Sequence, residues 1–463
     1  MQTSSPLSRR QFLQAGAAVA ASVHIVPRHV LGGPRYVAPS DKVNIALVGA
    51  GGQGRTNVRA LFEHADAQVI AVADPAEAFS LERFYYRGVG GRKPVVAEIE
   101  EHYRAITPTF RCAEYVDFRE LLDREPSVDA VLCATPDHLH AWASVLAMRA
   151  GKHVYCEKPL THNIWEARTV AGVARETGVA TQMGNQGHAS DTLRETVDWI
   201  RGGVIGPVRE VHAWVGSTRW NPCVVAHPMP PVPDGLNWDL WLGPREPRPF
   251  HPAYFPVSWR DFWDFGGSTI ADFGCHDLDS ACWALDLVEP ATVEFRPAGP
   301  MDAEIAPFGS IGYYQFGPRG EQPPVTVTWY DGGLRPPRPE RLPAGELLPP
   351  RGVLFVGDKG AMLGGRSDDP PRLLGVGPSP KPEASLPRSK GHHREWLDAC
   401  KGGPPAASHF EYGARLTELA LLGVLSLRTG HRIEWDRERM QARGFPEADA
   451  YVRESYREGW ALE

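Results

Sequence analysis

The chain has 463 residues, 42% of them hydrophobic, with 49 basic and 56 acidic side chains for a formal net charge of -7. That length exceeds one ordinary core and suits two domains plus extensions, and the hydrophobic share is that of a soluble globular protein. No basic footprint exists for a phosphate backbone, so nucleic acid is not an expected partner.

At the N-terminus, Ser8-Arg9-Arg10-Gln11-Phe12-Leu13 precedes a short alanine-rich run, Ala15 to Val26, too short to stay as a spanning helix. This pattern reads as a twin-arginine export signal, with Ala18-Val19-Ala20 meeting the small-residue rule for cleavage. No cysteine follows the run to take a lipid, so the expected product has no stable membrane anchor and resides in the periplasm or outside the cell. Residues 1–40 are assigned to signal and linker.

Val43 to Val48 is an apolar, β-branched run bounded by glycine, the signature of a strand buried on both faces of a parallel sheet. A helix over Arg55 to His64 and a strand over Gln68 to Ala73 follow, and further strands are expected at Val128–Ala134, Lys152–Cys156 and Val179–Met183, with helices at Ala141–Arg149 and Glu166–Thr177. The alternation predicts a doubly wound Rossmann domain over 41–184. Beyond it, Val208–Gly216 and Val325–Trp329 alternate as strands covered on one side do, and Val353–Val356 leads into a Gly-Asp-Lys-Gly turn. An α+β domain with a large, mostly antiparallel sheet is therefore expected over 185–463, closed by helices at His393–Ala399 and Tyr412–Arg428. The sheet's exposed face would suit a homo-oligomeric contact. Segments 221–256, 315–324, 331–352 and 365–391 are rich in proline and glycine and read as long loops.

Gly49-Ala50-Gly51-Gly52-Gln53-Gly54 lies between the first strand and the first helix. In that setting Gly49 makes the tight turn, Gly51 lets a pyrophosphate approach the backbone, and Gly54 allows helix and strand to pack closely. Asp74, twenty residues after Gly54 at the end of the second strand, is placed to bind the adenosine ribose diol. A carboxylate there repels a 2′-phosphate, and Pro75-Ala76-Glu77 offers no arginine to accept one, so NAD is expected over NADP. Thr135-Pro136-Asp137-His138-Leu139-His140 and Glu157-Lys158-Pro159 follow two later strands, at the carboxyl ends where ligands of open α/β sheets bind. Lys158 stands out, because an ammonium beside nicotinamide can stabilise the alkoxide that develops when a hydroxyl is oxidised.

Gly49 to Gly54, Thr135 to His140 and Glu157-Lys158-Pro159-Leu160, with the segment Gly267 to Asp279 containing Asp272 and His276, together resemble the glucose-fructose oxidoreductase / inositol dehydrogenase family, Gfo/Idh/MocA. The likeness spans nearly everything after residue 43. It implies a catalytic group of Lys158, Asp272 and His276, and places Gly49, Gly51, Gln53, Gly54, Asp74, Thr135, Pro136, His138, His140, Glu157, Lys158 and Asn185 around the cofactor. Asn185 enters through Met183-Gly184-Asn185-Gln186, which resembles a stretch lining the nicotinamide side in relatives. Asp272 and His276 are four apart, on one face of a helical turn, so His276 is expected as general base with Asp272 orienting substrate or base.

Seven cysteines, at 112, 133, 156, 223, 275, 282 and 400, show no CxxC or Cys/His ligand spacing, so neither a metal site nor a disulfide framework is expected. His392-His393 reads as loop surface, and the tryptophans at 214, 220, 238, 241, 259 and 263 read mainly as core. The leading functional expectation is a carbohydrate or cyclitol oxidoreductase that holds NAD tightly, because twin-arginine transport, as the resemblance implies, carries folded proteins and free NAD is scarce outside the cytoplasm. Two other readings stay open: a redox-neutral NAD-dependent glycosidase working through a transient keto-sugar, and a carbohydrate-binding protein without catalysis.

Overall fold

The computed structural model describes residues 37–216, 229–365, 369–375 and 382–462. The export-signal motif, Trp220 and Cys223 lie outside the described residues. Residues up to Lys42 form a separate unit, described here by a 3-10 turn at Pro39–Asp41; Val43–Glu463 form the other.

The second unit begins with strand β1 (Val43–Val48), helix α1 (Gly52–Leu61) and β2 (Ala67–Ala73). A small hairpin, β3 (Phe79–Ser80) and β4 (Val89–Gly90), precedes α2 (Arg92–Arg104), β5 (Ala113–Tyr115) and α3 (Phe118–Arg124). Then come β6 (Ala130–Cys133), α4 (Asp137–Arg149), β7 (His153–Glu157), α5 (Ile164–Thr177) and β8 (Thr181–Gly184). Six of these strands form a wholly parallel sheet in the order β5-β2-β1-β6-β7-β8. Counting only its members in chain order, that is 3-2-1-4-5-6, and the direction of winding reverses between β1 and β6. β1 and β6 are apolar along nearly their whole length because helices cover both faces of the sheet. The helix expected from Ala141 starts earlier, at Asp137, directly after Pro136, whose fixed φ suits the entry to a helix.

After α6 (Asp191–Arg201) the chain builds β9 (Val208–Val215), α7 (Trp238–Leu242), α8 (Ser268–Asp277), α9 (Asp279–Leu285), β10 (Thr292–Ala298), β11 (Gly309–Phe316), β12 (Val325–Tyr330), β13 (Arg351–Gly357), β14 (Ala361–Leu363) and β15 (Arg372–Leu374). Helices α10 (His392–Cys400) and α11 (Phe410–Thr429) follow. The seven strands β10-β11-β12-β9-β13-β14-β15 form a mixed sheet that is antiparallel at every pairing except β12 with β9. Its inner face, with Val211, Trp329 and Phe355, belongs to one continuous core with α8, α11 and the last elements of the parallel sheet. On the outer face, Trp214, Tyr330, Leu354 and Leu363 are covered by Leu342 and Leu348 of the irregular 331–350 segment.

α11 sets the position of the site. It packs on α5 and α8, and a Cβ added to Gly274 of α8 would stand 3.0 Å from the Cβ of Ala420, so the two backbones approach closely. α8 is thereby held beside the carboxyl end of the parallel sheet. His392-His393 is not loop surface: these residues open α10, His392 is buried with Nε2 2.9 Å from the Met183 carbonyl, and His393 Nε2 lies 3.2 Å from Asn57 Oδ1. Trp396 and Leu397, fully buried on the same helix, explain the burial.

Candidate active site

The turn after β1 is shaped for an anionic ligand. Gly49 has φ +92°, and a Cβ there would stand 2.7 Å from the backbone of Ala134 and Thr135, so the turns after β1 and β6 can touch only with glycine. A Cβ on Gly51 would meet nothing within 4 Å, because it would point into the open cleft, and a Cβ on Gly54 would stand 2.1 Å from the Gly49 carbonyl oxygen. No side chain caps the N-terminus of α1, and its first turn carries no acidic residue. Its amides are left for a phosphate.

Asp74 closes one side of this turn. Its carboxylate accepts from the Ala50 amide at 2.7 Å and the Ala76 amide at 2.8 Å. Burial pushes its pKa up to about 6, against the pull of those two amides and of Arg92. Arg92, which the sequence reading missed, is buried here with its guanidinium committed: Nε to Glu114 at 2.8 Å, Nη2 to Glu77 at 3.2 Å and Nη1 to the Asp74 carbonyl at 3.3 Å.

From the turn, a cleft of about 410 Å³ runs along the carboxyl end of the sheet to α8. Gly49, Gly51, Gln53, Asp74, Thr135, Pro136, His140, Glu157, Lys158, Asp272 and His276 all line it. Lys158 crosses from the end of β7 to α8, with Nζ 2.6 Å from Asp272 Oδ1 and 2.8 Å from the Asp272 carbonyl. Arg260, another residue missed in the sequence, reaches the same Oδ1 from the other side at 3.3 Å and lies 4.2 Å over the Trp259 ring. Burial disfavours the Lys158 ammonium, but Asp272 more than offsets this and the repulsion from Arg260, so its pKa sits above the ordinary lysine value. Lys158 is thus a permanent cation and donor. Glu157, buried and raised in pKa by that burial, accepts from Asn57 at 2.8 Å and Gln186 at 2.9 Å.

Three expected cofactor contacts do not line the cleft: Gly54, which packs against Gly49, His138 and Asn185. His138 turns inward from the first turn of α4, fully buried with Nε2 2.8 Å from the Trp241 carbonyl; Asp137 and His140, three apart, take the cleft side instead. Asn185 is also fully buried, donating to Asp279 at 3.0 Å and accepting from Ser408 at 2.6 Å, while its neighbour Gln186 lines the cleft. β8 ends at Gly184 and a 3-10 turn over Gln186–Ala189 changes the facing at this point. His140 braces two turns, its ring nitrogens 2.9 Å from the Thr135 carbonyl and 2.7 Å from the Pro159 carbonyl, and burial holds its pKa near 4. Cys133, His140 and Cys156 lie within 4.8 Å of one another beneath the cleft, but each His140 nitrogen faces one of those carbonyls. The β3–β4 hairpin, unread in the sequence, lays the Tyr86 ring against Gly52 at the mouth of the turn.

A parallel sheet wound in this order, with a glycine turn at the reversal, defines the dinucleotide-binding Rossmann class. The chain belongs to the Gfo/Idh/MocA oxidoreductase family: residues 43–185 match its NAD-binding Rossmann fold and residues 208–313 its C-terminal alpha/beta domain, together more than half of the chain. Residues 6–23 match the twin-arginine translocation signal sequence, which marks the chain for export. Among curated relatives, a 1,5-anhydro-D-fructose reductase of Ensifer adhaerens is 28% identical over 42% of this chain and 50% of its own length. A glycosyl hydrolase family 109 protein of a Shewanella species is 26% identical over 48% of this chain and 49% of its own. The chain thus spans about half the length of these relatives. Solved structures share the fold: the WlbA dehydrogenase of Bordetella pertussis in complex with NADH and UDP-GlcNAcA (TM-score 0.56, 17% identity, 85% of this chain and 99% of that one), and an aldose-aldose oxidoreductase of Caulobacter crescentus complexed with glycerol (TM-score 0.57, 18% identity, 85% and 99%).

Proposed function

We propose that the protein oxidises a hydroxyl of a carbohydrate or cyclitol, with residues 41–184 holding NAD and residues 185–463 completing the substrate side. The observation that carries this reading is the Lys158–Asp272 contact: one ammonium, fixed between the nucleotide-binding sheet and α8, in a cleft that also contains the glycine turn and His276. Bound NAD supplies the hydride acceptor. Gly49, Gly51 and the amides of α1 hold its pyrophosphate, and Asp74 its adenosine ribose. Thr135, Pro136, Gln53, Glu157 and Gln186 border the rest. Lys158 donates to the oxygen of the reacting hydroxyl and stabilises negative charge as it develops there. Asp272, flanked by Lys158 and Arg260, acts by holding Lys158 in place. His276 is left to take the hydroxyl proton. The relatives named as acting on anhydro-sugars and glycosides support a carbohydrate substrate.

NAD is favoured over NADP by the charges around Asp74, where Glu77 and Glu114 already take the Arg92 guanidinium and Lys93 pairs with Glu77 at 2.6 Å. The export signal supports a location in the periplasm or outside the cell, with cofactor loaded before transport and recycled on the enzyme. Denaturing exported, purified protein should release nearly one equivalent of nicotinamide nucleotide without phosphate on the adenosine ribose. Protein free of nucleotide that also fails to reduce added NAD with any sugar would defeat the reading.

Cofactor affinity should depend on pH through Asp74. Ribose hydroxyls donate best to the ionised carboxylate, so binding favours the deprotonated form, and a free-protein pKa of about 6 means protons compete below that value. NADH affinity should be flat above pH 7 and weaken by up to about tenfold per unit below pH 6, as expected for one linked proton. Fluorescence titrations across that range measure it, and Asp74→Asn should flatten the profile.

A further inference from the structure

A second cavity of about 260 Å³ adjoins the cleft, and His276 and Arg351 line both. Its walls mix polar and apolar groups. Ser190 and Ser280 contribute hydroxyls, and Gly187, where an added Cβ would meet nothing within 4 Å, leaves room. The dominant feature is a fork: Arg351 Nε lies 2.7 and 3.0 Å from the two Asp277 carboxylate oxygens and Nη2 lies 2.5 Å from one of them. The guanidinium also stacks on Phe273, 4.7 Å from its ring centroid, which fixes its plane. Asp279, the other carboxylate of the wall, is already engaged by Asn185 and His188, each at 3.0 Å.

We propose that this cavity is a glycosyl subsite: the substrate carries a second, neutral sugar ring, joined glycosidically to the ring that reacts in the main cleft, and that second ring sits beyond His276 against the Asp277–Arg351 pair. The inference rests on the assignment of the main cleft to nicotinamide and a reacting sugar. Three arguments carry it. The main cleft, at about 410 Å³, is at the low end of the ~300–1,000 Å³ usual for small-molecule pockets, yet it must take cofactor and reacting ring together. His276 and Arg351 belong to both walls, so a substituent on a carbon held at His276 lies next to the second cavity. The chemistry of the pair then selects the occupant: a fixed, self-neutralised carboxylate and guanidinium offer acceptors and donors side by side, as vicinal hydroxyls require. The Arg351 charge is already met by Asp277 and Asp279 adds a second carboxylate, so a neutral polyhydroxylated occupant suits this wall better than an anion.

Calorimetric titration of the NADH-loaded wild-type protein tests this without requiring turnover. The probes are glucose, galactose, mannose and N-acetylglucosamine, each beside its 1,4- and 1,6-linked homodisaccharides. At least one disaccharide should bind about tenfold or more tightly than its monosaccharide, a difference of about 1.4 kcal/mol. Val353→Phe, which directs a ring into the cavity from β13, should bring that ratio to within about twofold. The subsite is overturned if every disaccharide binds within about twofold of its monosaccharide, if no disaccharide binds at all, or if Val353→Phe leaves the ratio unchanged. Monosaccharide oxidation with no disaccharide preference removes the subsite alone. A disaccharide preference in a protein that never reduces nicotinamide removes the oxidoreductase reading and leaves the subsite standing.

Discussion

Lys158→Met is expected to lower kcat by about 10²–10⁴-fold, the range for removing a donor that acts on charge developing in the transition state, while bound nucleotide is retained. The split follows from where the lysine sits. Among the described residues its Nζ hydrogen-bonds to Asp272, 2.6 and 2.8 Å away on α8, and the groups that cradle the nucleotide lie at the glycine turn. Asp272 keeps Arg260 at 3.3 Å in the variant, so the carboxylate is not left as a buried charge without a cation. Single-turnover kinetics together with nucleotide content after denaturation measure both halves. Loss of nucleotide in step with activity would mean that Lys158 serves binding, contrary to the role given to it here.

Asp272→Asn should do more damage to the fold than to any single chemical step. Two cations converge on Asp272 Oδ1, and all three side chains are 12–15% exposed. Removing the negative charge leaves Lys158 and Arg260 facing each other with little solvent to screen them. Breaking a buried ion pair by removing one partner costs on the order of 3–5 kcal/mol, and denaturant titration should register a loss of that size beside the fall in kcat. Asp272→Asn with Lys158→Met should recover part of the lost stability, because only one cation then remains. A stability of the single variant equal to wild type would show that Asp272 does not hold the two cations together as described.

The parallel sheet was legible because strands covered on both faces are written as unbroken apolar runs, and β1 and β6 are of that kind. The stretch from Ala76 to Ser127 was not read. β5 has three residues, none of them fully buried, and β3 and β4 have two each. Helix α2 did carry a signal that could have been used, since Val95, Ile99 and Tyr103, buried on one face, recur every four residues. In the site, Lys158 stood out from its place at a strand's carboxyl end, Asp272 and His276 came from a family likeness, and the structure brings all three to one cleft. Arg260 carries no local sign of its role: it becomes a partner of Asp272 only because the chain between them folds back. Asn185 and His138 were assigned by motif, but which of two adjacent residues faces a ligand depends on where a strand stops and a helix starts. The start of α4 at Asp137 rather than Ala141, and the turn after Gly184, turn both side chains inward.

In the proposed reaction a hydride passes from a carbinol carbon to nicotinamide beside Lys158. Incubating NAD-loaded protein with sugars deuterated at each ring carbon in turn, and weighing the nucleotide released, tests it most directly. Deuterium should appear on the nicotinamide from one ring position in wild-type protein and be absent, over the same interval, in Lys158→Met. Nucleotide that stays unlabelled with every sugar and disaccharide of the panel would contradict the account.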